Sequence, residues 1–339
     1  MKKITLYENG YEPFIDFFKG IAIIFVVYSH CATPDIRHAS GFYFWAAAPT
    51  ALFMLIHVFH SFRVSDHVKK PNVIKLFKRV FKPFLITQAI IFIGYYLFTG
   101  NLLWRPFLHG GIGMGAYFPW VYVQFIFFCY LMAPVVAKWG QKNGWILLLI
   151  FMILAQCAEL FCCLVNMNTT LYKLLFFRYI FLVYIGYSIV RRGVYLNWTR
   201  GVLATLGLLF IIVFQYSDWN LEPLFYNRAW KAYHWPSYLF YGFVLIPCYY
   251  MLFITTNKNM TISSFFRKCG VYSYDIFLFQ MIWFTLPVKE YMVQYCHVSY
   301  VNTLYITLSI IICTFSVIIY KEYLKENLRK GIKTITHSV

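Results

Sequence analysis

Long apolar runs separated by short polar, mostly basic segments dominate the pattern of this 339-residue chain. A helix that crosses the hydrocarbon core of a bilayer needs roughly 17–25 predominantly apolar residues. Runs of that kind lie near 14–33, 42–62, 83–99, 117–137, 145–165, 172–190, 201–216, 235–255, 273–292 and 299–320. The pattern predicts an all-α polytopic integral membrane protein with about ten transmembrane helices. Residues 1–320 read as one transmembrane domain and 321–339 as a basic tail carrying Lys321, Lys325, Arg329, Lys330 and Lys333.

Composition sharpens this reading. Apolar residues make up 61% of the chain and charged residues only 12%, against about 25% charged in an average soluble domain. A soluble enzyme, a disordered chain and a disulfide scaffold are thereby excluded. The nine cysteines are scattered through apolar runs without a CxxC pair, so they read as small core residues. The net charge of +18 has a definite distribution. With ten spans, all but seven of the thirty Lys and Arg residues fall in segments on the same side as the termini; the seven are Arg37, Arg105, Lys173, Arg178, Arg228, Lys231 and Lys289. The excess of cations in cytoplasmic loops of membrane proteins then puts both termini in the cytoplasm. Attraction to anionic lipid accounts for basic loops at a membrane face, and no nucleic acid is needed to explain them. The first apolar run ends Tyr28-Ser29-His30-Cys31-Ala32, without the small-x-small pattern of a signal-peptidase site, so the first helix is expected to be retained. Trp104, Trp120, Trp139, Trp198, Trp219 and Trp235 fall near span ends, as interfacial anchors do.

Ionisable residues at membrane depth are costly and point to function. The first helix carries three: Asp16, Lys19 and His30. Lys19 and His30 are eleven residues apart, about 16 Å of helical rise and close to three whole turns, so they share a face. Asp16 lies one turn from Lys19 on that same face. A histidine within a bundle also has a plain structural reading, as a hydrogen-bonded partner of a neighbouring helix.

The segment Ile15-Asp16-x-x-Lys19, followed after ten residues by His30, resembles the opening motif of the membrane-bound acyltransferase-3 family, the multi-pass O-acyltransferases of cell-surface glycans. Further pieces fall in the family's order: the apolar run Leu52 to Phe59, the basic loop Lys78-Arg79-Val80-Phe81-Lys82-Pro83, and Pro119-Trp120-Val121 with Tyr130 and Pro134. Phe181 to Tyr187, ending in Gly186-Tyr187, and Ser273-Tyr274-Asp275-Ile276-Phe277-Leu278-Phe279-Gln280 complete the set. The departures are Lys19 for arginine, His57-Val58 for Ser-Gly, Lys82 for the second arginine of the loop and Gln280 for a late histidine. Lysine keeps the charge of arginine but not its bidentate fork.

The resemblance implies acyl transfer in a bacterial cytoplasmic membrane. The acyl group, acetyl being the family's commonest, would pass from a cytoplasmic acyl-CoA co-substrate to a hydroxyl of an extracytoplasmic glycan or its lipid-linked precursor. No permanently bound cofactor is implied. His30 would act as general base on the hydroxyl or carry the acyl group itself. Lys19 with Asp16, Arg79, Lys82 and His57 would serve the donor, whose phosphates suit charge-assisted bonds. The basic residues of 63–82 have an equally good reading as a lipid-binding loop.

Other positions carry weaker expectations. His57, His60 and His67 with Asp66 fall short of a metal-ligand set, and no metal is expected. Glu159 and Arg178 flank the short turn 166–171 at similar depth and are expected to pair as a salt bridge, with acceptor-side electrostatics or structure as their role. Trp120 is placed with them on the acceptor side or as an anchor. Asp275 reads as a helix cap or donor contact, and Gly110-Gly111-Ile112-Gly113-Met114-Gly115 as a flexible loop outside the membrane. The loop 217–234 mixes charges with aromatic residues that would suit a sugar or an interface belt. A transporter or flippase is the alternative of a different class; it should show two related halves with matching broken helices, which the chain lacks. The departures also allow an inactive interaction subunit.

Overall fold

A computed structural model describes residues 13–46, 49–62, 68–102, 110–140, 142–194, 197–217, 224–225, 234–256, 260–286 and 300–336, and their regular structure is entirely helical. The helices are α1 (Pro13–Cys31), α2 (Pro34–Ala39), α3 (Phe42–Trp45), α4 (Pro49–Phe62), α5 (Val73–Thr99), α6 (Phe118–Gly140) and α7 (Gly144–Leu164). They continue with α8 (Thr169–Lys173), α9 (Leu182–Arg192), α10 (Trp198–Tyr216), α11 (Ser237–Thr256), α12 (Met260–Val271), α13 (Ser273–Thr285) and α14 (Tyr300–Thr336). Among the described residues, nine segments are long and apolar enough to cross a membrane. The protein is an all-α, multi-pass membrane protein. The expected span 273–292 is described only as the thirteen residues of α13, since 287–299 lie outside the described residues. The basic segment after 320 continues α14 without a break as far as Thr336.

Three segments form the centre: α1, Phe42–Phe62 and Thr169–Arg192 are each two-thirds buried, while Val73–Thr99 keeps most of its surface outward. Large apolar side chains such as Leu97, Leu164 and Trp198 are exposed on the peripheral helices. In lipid that exposure carries no hydrophobic penalty, and helix association rests on close packing. Around α1 the packing is aromatic. Phe17 meets Phe253 and Phe266 at centroid distances of 5.4 and 5.2 Å, and Phe14 meets Tyr250 edge-on at 5.0 Å. Such pairs contribute about 0.5–1.5 kcal/mol each beyond area burial.

Two glycines set the depth of that contact. A Cβ on Gly20 would collide with the backbone of Phe266, and one on Gly270 with the backbone carbonyl of Asp16. The backbones of α1 and α12 therefore touch, as small residues at helix interfaces in membranes permit.

Proline explains the two irregular turns. The ring of Pro83 can neither donate to the carbonyl of Arg79 nor sit beside it, and α5 absorbs the extra residue in a π-type turn over Phe77–Phe81. Pro247 and the π-type turn Tyr241–Leu245 of α11 repeat the arrangement. The segment expected as one span at 172–190 is instead broken: α8 ends at Lys173, a 3₁₀ turn covers Phe177–Tyr179, and α9 follows. Backbone groups freed by such a break must find partners. The amide of Gln124 on α6 donates to the Leu174 carbonyl at 2.8 Å. At the far end of α9, the buried Arg200 donates to the carbonyls of Ser188 and Gly193 at 3.0 and 2.8 Å.

Replacing Gly270 with valine should force α1 and α12 apart, at a cost of about 1–3 kcal/mol or more. Thermal unfolding of the purified protein in detergent measures this, with Ser263→Ala on the same helix as the mild comparison.

Candidate active site

The face of α1 that carries Lys19 and His30 opens onto one cavity of about 1500 Å³. Small-molecule pockets usually span about 300–1,000 Å³, so there is room here for two substrates. Among the described residues, the wall carries the charged groups Lys19, Arg37, Lys69, Lys75, Arg79 and Lys173, and no aspartate or glutamate.

At the first end stand Lys19, Lys69, Lys75 and Arg79, beside Gly270 and Ser273. Lys75, Leu76, Arg79 and Val80 come from one face of α5 across its π-type turn. The hydroxyl of Tyr274, on the first turn of α13, donates to the Val80 carbonyl at 2.6 Å and ties the two helices together. Lys19 Nζ lies 3.3 Å from the carboxylate of Asp16, one turn away, which is itself buried. His57 and His60 of α4 also reach the wall. His57 Nε2 is 3.2 Å from Ser61 Oγ, and its ring stands edge-on to Tyr122 and Phe125.

At the second end, His30 Nδ1 lies 2.9 Å from Gln280 Oε1. An amide oxygen only accepts, so with Oε1 turned to the ring the bond has Nδ1 donating and leaves Nε2 as the basic nitrogen. The glutamine is wholly buried. It holds the ring much as an acidic or amide partner orients a catalytic histidine. Gln280 is thus the partner of His30 and not merely a departure from a motif.

The glycine loop 110–115 differs from the flexible outside loop expected of it. Gly110, Gly111, Gly113 and Gly115 all have φ between 84° and 134°, and the loop packs against α13 and His30. A Cβ at Gly115 would press on Phe277 at 3.0 Å and reach His30 Cε1 at 3.9 Å. The cause of the order is Gln88, buried in α5. Its amide donates to the Ile112 carbonyl at 3.0 Å, and its oxygen accepts from the Ile112 N–H at 2.5 Å. Trp120 Nε1 holds the other end through the Gly110 carbonyl at 2.7 Å, with its ring on Phe81. Trp120 is therefore a clamp on this loop. The glycine spacing in the sequence shows that the loop needs unusual backbone angles, but not that it closes over α1.

Glu159 and Arg178 occupy a buried cluster beside the second end. Glu159, expected to pair with Arg178, accepts a hydrogen bond from the Tyr172 hydroxyl and lies 3.2 Å from His234 Nδ1. Arg178 lies over the rings of Tyr179, Tyr172 and Tyr117 at 4.8, 5.5 and 5.7 Å. Tyr172 is the group that the two charges share. The break before α9 swings the guanidinium toward the tyrosines, two of which, Tyr117 and Tyr179, line the cavity.

The structure thus gathers Lys19, His30, His57 and Arg79 at one cavity, with Asp16 held against Lys19. Lys82 is exposed and not part of the wall. Asp275 sits in the first turn of α13, where a carboxylate favours a helix start. Asp66, His67 and most of 217–234 lie outside the described residues, among which no group of three His, Cys, Asp or Glu side chains fits a metal.

A family model described as an acyltransferase domain, Acyl_transf_3, matches residues 12–321. The chain belongs to the acyltransferase-3 family. No curated protein and no solved structure matches it. The family domain covers every helix that builds the cavity, so the cavity of this membrane acyltransferase is its candidate active site.

Gln88→Leu should release the glycine loop while leaving α5 in place. Hydrogen exchange of the amides of 110–117 is expected to quicken by about tenfold, matching the loss of one to two hydrogen bonds, and Leu85→Ala, on the outer face of α5, should not reproduce it.

Proposed function

We propose that this acyltransferase moves an acyl group, acetyl being the expected one, from cytoplasmic acyl-CoA to a hydroxyl of an extracytoplasmic glycan or its lipid-linked precursor, in a bacterial cytoplasmic membrane. The observation that carries the reading is a single cavity with a cation cluster at one end and a histidine hydrogen-bonded to a buried glutamine at the other. Lys69, Lys75 and Arg79, with Lys19, suit the phosphates of a nucleotide-bearing thioester. The thioester arm then extends along α1 toward His30, about 16 Å away.

At that end His30 Nε2 takes the proton of the acceptor hydroxyl as its oxygen attacks the thioester carbonyl. The C–O bond forms, the C–S bond breaks, and the thiolate leaves with the proton that His30 returns. Gln280 keeps Nδ1 protonated throughout, which stabilises the imidazolium and aims Nε2 at the acceptor. Gly115 lets the loop backbone approach this point without a side chain in the way.

Reconstituted protein given radiolabelled acetyl-CoA and membranes containing the cell's own glycans tests the reading. His30→Ala should lower transfer by 10²–10⁴-fold, the usual contribution of a general base, with unchanged insertion. Gln280→Leu should lower kcat about tenfold, the worth of one hydrogen bond, and shift the pH profile while leaving the KM for acetyl-CoA alone. Full transfer by the His30→Ala protein, or solute uptake without transfer, would refute it.

A further inference from the structure

Beyond the cations at the donor end, two more line the cavity. Lys19 is offset by Asp16 at 3.3 Å, and Lys69, Lys75 and Arg79 remain for the donor phosphates. Arg37 and Lys173 line the same cavity from other elements. Arg37 sits on α2, which follows directly from the His30 end of α1, and Lys173 closes α8 just before the break in its span. A thioester donor carries its phosphates at one end and its reacting carbonyl at the other. With the carbonyl at His30 and the phosphates toward Lys19, the donor's own anions do not reach Arg37 and Lys173.

The surroundings of these two cations make a neutral ligand a poor match. No carboxylate lines the cavity among the described residues. The Nε of Arg37 is shut from solvent and has no hydrogen-bond partner among the described residues. Cations in a partly dry cavity raise the local potential strongly, and an anion entering it is attracted far more than in water. The guanidinium of Arg37 also offers the planar fork that matches a carboxylate or a phosphate. Tyr179 and Tyr238, stacked on each other at 5.8 Å, also reach the wall of the cavity.

We propose that the acceptor is an acidic glycan: its sugar carries an oxyanion, a uronate carboxylate or a phosphate, that Arg37 and Lys173 hold while the neighbouring hydroxyl meets His30. This rests on the acyl-transfer reading of the cavity and adds to it the charge of the acceptor. The anion acts as a handle, fixing which hydroxyl is presented to the histidine.

The test measures binding, so it does not depend on turnover. Full-length protein in lipid nanodiscs is titrated with a glucuronate-terminated disaccharide, its neutral glucose counterpart and a glucose-phosphate-terminated counterpart, followed by tyrosine and tryptophan fluorescence. Acetyl-CoA is titrated separately. At least one of the acidic sugars should bind tenfold or more tighter than the neutral one, with a preference that shrinks as salt rises. Binding of the uronate alone identifies a carboxylate handle, and binding of the phosphate alone a phosphate handle. R37Q and K173Q should each cut that preference three- to tenfold, and acetyl-CoA affinity should move less than twofold. Equal affinity for acidic and neutral sugars, binding of none of them, or a preference that survives in the R37Q/K173Q protein overturns the proposal. Failure of acetyl-CoA to bind instead overturns the acyl-transfer reading beneath it.

Discussion

One helix, α1, fixes the distance between the two ionisable groups at opposite ends of the cavity, Lys19 and His30. Lys19 and His30 sit on a single face of α1, and nothing between them can bend independently. The rest of the molecule serves to hold that helix in place. Gly20 and Gly270 let α12 come into backbone contact near the Lys19 end, while Gln280 of α13 reaches His30 at the other. Because α12 and α13 follow each other with one residue between, both ends of α1 are referenced to the same stretch of chain.

Irregular backbone appears where the cavity needs it. The π-type turn ahead of Pro83 turns Arg79 and Val80 to the wall, and the break before α9 brings Lys173, Tyr179 and Arg178 toward the same space. The glycine loop closes the side near His30 under the grip of Gln88. Non-helical backbone at membrane depth is tolerated where protein groups satisfy it or where it lines a cavity, and each of these places meets that condition.

How much of this was legible in the sequence follows from what periodicity can and cannot carry. The apolar runs gave the approximate bounds of the nine segments long enough to cross a membrane among the described residues, and the eleven-residue spacing put Lys19 and His30 on one face. Helical spacing says nothing of register between helices far apart in the chain. The bond from His30 to Gln280 spans 250 residues, and only packing decides it. The same limit applies to Glu159, whose contacts with Tyr172 and His234 only the packing reveals. Lys82 follows Arg79 by three residues, but the intervening π-type turn places only Arg79 on the wall. Prolines 83 and 247 were visible signals for both π-type turns. The four clustered glycines announced unusual φ values without saying what they face.

The central claim is that one continuous cavity joins a donor held near Lys19 to a base at His30, across the membrane. Sealed vesicles with radiolabelled acetyl-CoA on one side only, and the glycan acceptor on the other, test this most directly. The account predicts labelled glycan on the side opposite the donor, lost in the His30→Ala protein. Label confined to the donor side, or appearing across the membrane without His30, would contradict it.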